Sequence, residues 1–133
     1  MKKKVWIIIL LLVVIVAAYW YYSSTQWERD FDIRYVEYVR DGALFESSDY
    51  SYYLYEITNK TNRVLTDVYA VIEVTDYTEE SFEYDDLIER SIRPGETVEY
   101  KIYTKDYKKA AEKQGEDLGM IISVDIVKIE YSK

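Results

Sequence analysis

Apolar residues divide this chain into one unbroken run followed by a long alternating region. From Val5 to Tyr22 there is no charge, and Ile7 to Val16 are all Ile, Leu or Val. At about −0.3 to −0.6 kcal/mol each, those ten residues favour membrane insertion by roughly 3 to 6 kcal/mol. Eighteen residues at about 1.5 Å rise cover roughly 27 Å, close to the hydrocarbon thickness of a bilayer. The run therefore predicts a single transmembrane helix over 5–22.

Beyond it the period shortens to two. Ile33–Arg40 and Tyr50–Thr58 are rich in β-branched and aromatic residues, and Asp41-Gly42 between them predicts a two-residue hairpin turn. Thr66–Thr75 alternates, with Val68, Ala70, Ile72 and Val74 on one face. Phe82–Ile92 predicts one or two charged strands at a sheet edge. Arg93-Pro94-Gly95-Glu96 predicts a type II turn, since Pro presets φ and Gly supplies the positive φ that follows. Thr97–Thr104 then turns Val98, Tyr100 and Ile102 inward. Over about 106–114 the spacing of Tyr107, Ala110 and Ala111 predicts a short helix, with Asp106 as its N-cap and Gly115 just past its end. From Met120 to Tyr131 the apolar parity changes: Met120, Ile122, Val124 and Ile126 form one set, Val127, Ile129 and Tyr131 another. A β-bulge near Ile126-Val127 reconciles them. The fold class expected is all-β, an antiparallel sandwich of six to seven strands with one short connecting helix.

The flanks of the apolar run set its orientation. Lys2, Lys3 and Lys4 precede it, whereas Glu28 and Asp30 follow. This predicts a cytoplasmic basic tail (1–4), a juxtamembrane linker (23–31) and an extracytoplasmic domain (32–133). Val16-Ala17-Ala18 offers a cleavage site, which would release a secreted protein. Against cleavage, Trp6 at one end and Tyr19, Trp20, Tyr21 and Tyr22 at the other match the aromatic belts of a retained span, with Trp27 a further interfacial candidate. The expectation is a signal anchor in the cell membrane.

Charge narrows the partners. Three of the 17 basic residues precede Ser24 and all 25 acidic ones follow it, leaving 14 against 25, a net −11. Such a surface repels nucleic acid, so no nucleic-acid role is expected. With no Cys and no His there are no disulfides and no Ser-His or Cys-His nucleophile pair. No cofactor motif is present, and the chain reads as a non-enzyme. Glu79, Glu80, Glu83, Asp85 and Asp86 form an acidic stretch that could bind Ca²⁺ or supply paired carboxylates, against the plainer reading of a solvated edge strand. Thirteen of the sixteen tyrosines lie beyond the run, and Tyr50, Tyr52, Tyr53 and Tyr55 crowd one strand. Alternation sends Tyr50 and Tyr52 to one face and Tyr53 and Tyr55 to the other, so one pair packs inside while the other offers an interaction surface.

Asn59 and Thr61 in a polar turn, then Leu65, Val68 and Ile72-Glu73-Val74-Thr75-Asp76, lead on to Ile92, Pro94-Gly95-Glu96 and Tyr100. This stretch of about forty residues resembles the FxLYD domain, an immunoglobulin-like module of bacterial exported and membrane-tethered proteins. Asp76 is identical within the signature, while Ile72, Val74 and Thr75 stand in place of its Phe, Leu and Tyr. The resemblance implies an immunoglobulin-like sandwich outside the cytoplasm and no catalytic residues. The function expected is a membrane-tethered module for protein–protein contact, or a structural role, in an envelope or secretion assembly. The alternative is a domain binding wall glycan or Ca²⁺ through its tyrosine or acidic surface.

Overall fold

The computed structural model describes residues 2–42 and 49–132; Met1 of the basic tail, residues 43–48 and Lys133 lie outside the described residues. The apolar run forms α1 (Lys2–Ser24), at about 1.5 Å per residue long enough to cross a bilayer and with no residue buried against the rest of the chain. A one-residue break at Thr25 leads into α2 (Gln26–Asp30), which passes directly into β1 (Phe31–Val39). There follow β2 (Tyr52–Asn59), β3 (Val68–Asp76), β4 (Ser81–Ile88), β5 (Thr97–Tyr103), α3 (Thr104–Gln114) and β6 (Ile121–Glu130).

The six strands make two antiparallel sheets, in the orders β1-β2-β5 and β4-β3-β6. Both contribute to one apolar cluster. Tyr55, Ile57, Val98 and Ile102 come from the first sheet, and Val68, Ile72, Val74, Phe82 and Ile129 from the second. The alternation of β3 is realised as expected, since Val68, Ala70, Ile72 and Val74 are all fully buried. The charged β4 lies at a sheet edge, and Gly95 takes φ 75° in a turn closed by Glu96 N–H donating to Arg93 O at 3.0 Å.

The parity change in β6 is a bulge at the expected place. Ile126 pairs with Ile72 and Lys128 with Val71, which leaves Val127 extra. A second bulge was not expected. Ser123 pairs with Thr75 and Ile121 with Asp76, so Ile122 is skipped and Ile121 turns inward. Met120 and Ile122 are therefore exposed rather than part of the inward set.

Three other expectations change. Asp41-Gly42 does not close a two-residue turn: Val39 pairs with Tyr52, so residues 40–51 form the connection. Its base is held by Ser51, whose hydroxyl accepts from Asp41 N–H at 3.0 Å and donates to Asp41 O at 3.1 Å. The helix α3 begins at Thr104, two residues early, because Thr104 is buried and its N–H and hydroxyl both donate to Ser51 O. Asp106 thus lies in the first turn rather than at the cap, while Gly115 ends the helix in the left-handed region at φ 70°. The linker 23–31 is mostly helical and docked: Phe31 is buried, and Lys60 N–H donates to Asp30 O at 2.8 Å.

Candidate functional site

Two turns share a device that orders one end of each sheet. Asn59, ending β2, is fully buried; its Oδ1 accepts from Thr61 N–H at 2.9 Å and Thr61 Oγ1 at 2.6 Å, while its Nδ2 donates to Arg63 O and Ile92 O. Asp76, ending β3, repeats the pattern with Thr78 at 2.9 and 2.6 Å, adds Glu80 N–H at 3.2 Å, and reaches Gly119 N–H at 3.3 Å. These bonds, led by that from Thr78, hold its carboxyl below the usual carboxylate range. Asn59-Lys60-Thr61 and Asp76-Tyr77-Thr78 are thus the same Asx turn, a spacing readable in the sequence. Asp76 organises the turn that ends β3.

The acidic stretch is dispersed by strand alternation. Phe82, Tyr84, Asp86 and Ile88 point inward along β4, whereas Glu83 and Asp85 point out. Glu79, at φ 66°, and Glu80 lie in the preceding turn. Among the described residues no group of three or more carboxylates is gathered as a metal ion would need.

Asp86 instead meets residues the sequence did not link to it. A cleft of about 640 Å³ lies between β4 and α3, lined by Tyr84, Asp86, Asp106, Lys109 and Lys113 among others. Tyr100 donates its hydroxyl to Asp86 Oδ2, and burial followed by that bond raises the tyrosine's pKa strongly. Burial, then the nearby Asp86, also raises the Asp106 carboxyl. The Tyr84 hydroxyl is buried and has no hydrogen-bond partner among the described residues. Asp86 shares parity with Phe82 and Ile88, a signal in the sequence that could have marked it as an inward charge. A carboxyl raised beside a second carboxylate can hold a proton. Among the described residues that line the cleft there is no Ser, Thr or Cys.

The four candidate tyrosines separate as alternation requires. Tyr53 and Tyr55 face the core, with burial pushing Tyr53 up to about 12. Tyr55 donates to Val124 O at 3.1 Å and to Asp125 Oδ1 at 3.2 Å. Tyr52 faces outward, its ring 5.4 Å from Tyr103 and beneath Lys101 Nζ at 4.9 Å. Tyr50 lies outside the strand, with Lys105 over its ring at 5.3 Å. Two tyrosines of β1, Tyr35 and Tyr38, join the inner set, and sequence reading missed them because a bulge at Val36 brings both to the same face.

At the N-terminal end, α1 is joined to the β domain through α2. Arg29 donates to Tyr22 O and lies 3.8 Å from the centre of the Tyr22 ring, with further bonds to Thr25 Oγ1 and Gln26 Oε1. A cation here also complements the C-terminal dipole of α1. Trp27 is half-buried and packs against the domain core, and Tyr131 donates to Asp30 Oδ2. Lys2, Lys3 and Lys4 occupy the first turn of α1, while Trp6, Tyr19, Trp20, Tyr21 and Tyr22 are exposed at its two ends.

Comparison with models of known families, with curated proteins and with solved structures finds no match. The functional reading therefore rests on the residues themselves.

Proposed function

We propose that this protein is a non-enzymatic, membrane-tethered module that presents an immunoglobulin-like sandwich outside the cytoplasm for protein–protein contact. The observation that carries the reading is the junction. An apolar helix with no buried residue is joined, with one residue between, to a helix docked on the β domain. Such a domain is held at the bilayer surface, which suits a component of an envelope assembly better than a free-ranging binder. The strand pairs support the sandwich: β1-β2-β5 and β4-β3-β6 correspond to A-B-E and C′-C-F of the immunoglobulin order. Asn59 and Pro94-Gly95-Glu96, two of the positions on which the FxLYD resemblance rests, lie at turns between strands.

Alkaline extraction of membranes, with external protease on intact cells, tests this reading. The expected result is a chain that resists extraction and loses its β domain to the protease. A soluble mature protein beginning at Tyr19 would overturn the tether.

A second reading has one observation in its favour. Tyr52 and Tyr103 form an outward aromatic pair flanked by Lys101 and Lys105, a surface suited to a sugar ring. Wall glycan retained by the native chain and lost on Tyr52→Ala would establish it.

A further inference from the structure

Among the described residues β6 pairs on one side only, with β3, and its other edge carries no strand. In the seven-stranded order that place, beside strand F, belongs to a further strand. The first sheet overhangs it. Tyr35 and Tyr38 project from the core-facing side of β1 yet remain 51% and 40% exposed. Their rings continue a ladder in the order Tyr55, Tyr35, Tyr53, Tyr38, with successive centroids 5.4, 6.5 and 4.7 Å apart.

The ladder links two clefts. One, of about 490 Å³ near α2, is lined by Trp27, Ile33, Tyr35, Tyr55 and Ile126 among others. The second, of about 600 Å³ at the far end, includes Tyr38, Tyr53, Leu118 and Met120. Both lie between β1 and β6, touching β6 at Ile121 in one and at Asp125 and Ile126 in the other, and aromatic and aliphatic side chains share their walls with charged ones. Their rim is acidic: among the described lining residues Glu28, Asp32, Glu112, Glu116 and Asp125 stand against Lys108, which is itself paired with Asp49 at 3.4 Å.

These features select the occupant. An open edge offers backbone hydrogen bonds to an extended chain, and alternate side chains of that chain would enter these clefts. The acidic rim favours cations at the intervening positions. A second copy suits the edge poorly, because each chain beyond Ser24 carries −11 and because bulges at Ile122 and Val127 bracket the regular stretch Ser123–Ile126. Bulged edges resist flat pairing with their own kind, while a short strand can still use the stretch between them.

We propose that the β6 edge beneath β1 is a docking site for an extended segment of a partner protein, apolar or aromatic at alternate positions and basic between them, which adds to the sheet as a strand. The proposal rests on the protein-contact reading above and names its surface.

The test uses the full chain in lipid nanodiscs and a fluorescein-labelled ten-residue peptide alternating Ile and Lys. A second peptide carries N-methyl groups on alternate amides, with the same charge and side chains. Expected are saturable binding by anisotropy, at least roughly tenfold weaker binding of the N-methylated peptide, and new amide-exchange protection within Ser123–Ile126. The double variant Tyr35→Ala/Tyr38→Ala, at exposed positions, should weaken binding by a similar factor, and Tyr52→Ala should leave it unchanged. No binding, equal affinity for both peptides, or protection confined to other strands would overturn the proposal, as would a dimer by native mass spectrometry that Tyr35→Ala/Tyr38→Ala dissolves. Photo-crosslinkers at Tyr69 and Leu87 in cells separate the two readings. A partner captured there while the peptide arm fails would remove the β6 site and leave the protein-contact reading standing.

Discussion

The two edges of the β4-β3-β6 sheet are finished in opposite ways. At β4 the edge is covered. Helix α3 lies alongside it, Gln114 Nε2 donates to the backbone carbonyl of Glu83 at 2.8 Å, and Tyr100 spans the sheets to Asp86. Glu83 and Asp85 point outward from the same strand, and exposed charge on an edge discourages pairing with another chain. At β6, α2 packs near Lys128–Tyr131 and the Tyr55 hydroxyl reaches Val124 O and Asp125 Oδ1, while Tyr35 and Tyr38 remain partly in solvent under the overhang. Natural sheets protect edges as a rule. One edge protected by a helix and charge, beside another that pairs with no strand among the described residues of the same sheet, is the contrast on which the proposed docking site rests.

That contrast can be broken at three levels. The largest effect is expected from the residues that seat or line each side. Tyr107 is 7% exposed and anchors α3 on the core, so Tyr107→Ala should cost about 3–5 kcal/mol in urea unfolding of the solubilised full chain. Tyr35→Ala, on the open side, should cost less than about 1 kcal/mol. Equal losses would mean that β1 and α3 are equally integral and that the open edge is an ordinary part of the core.

A smaller difference separates the two hydroxyls that cross between sheets. Tyr100→Phe removes a bond made to one carboxylate and should cost about 1.5–3 kcal/mol, whereas Tyr55→Phe removes a hydroxyl shared between the Val124 carbonyl and Asp125 Oδ1 at 3.1 and 3.2 Å, a longer and divided bond that should cost about 0.5–1.5 kcal/mol. The same unfolding measurement orders them, and a reversed order would make β6 the better-secured edge.

The finest test acts on both edges together. Asp76 ties the β3–β4 turn to Gly119 just before β6, so it joins the two sides at one end. Its carboxyl is held below the unfolded value, mainly by Thr78. The stability it adds is therefore present above the unfolded pKa, about 4, and is lost as pH falls through the folded value. Melting temperature measured from pH 6 downward should fall more steeply below about pH 4 in the native chain than in Asp76→Asn. Parallel acid limbs would show that another carboxylate controls the loss.

Legibility in the sequence followed the range of the forces involved. The bulge at Val127 was readable because it reverses a local parity, yet the one at Ile122 was hidden, since Met120 and Ile122 continue the apolar alternation and only pairing with Asp76 shows them facing solvent. The same holds for the candidate sites. Tyr52 and Tyr53 were assigned opposite faces by the period of two, whereas Tyr35 and Tyr38 came together only through a bulge at Val36. Glu79, Glu80, Glu83, Asp85 and Asp86 read as one cluster because they are neighbours in the chain, and alternation together with Tyr100 divided them.

By itself, then, the sequence determined what depends on a few adjacent residues: an apolar helix of spanning length, the inward faces of β3 and β5, the turn at Pro94-Gly95, and the end of α3 at Gly115. Side-chain periodicity and allowed φ are set by local sterics, so they survive without knowledge of the partner strand. Tertiary structure decided which strands became edges, that α2 docks instead of trailing as a linker, that Asp86 bonds Tyr100, and that β6 lies open beneath β1. Those outcomes follow from pairing between residues far apart in the chain, where many registers satisfy the same local pattern and only the shared core selects one.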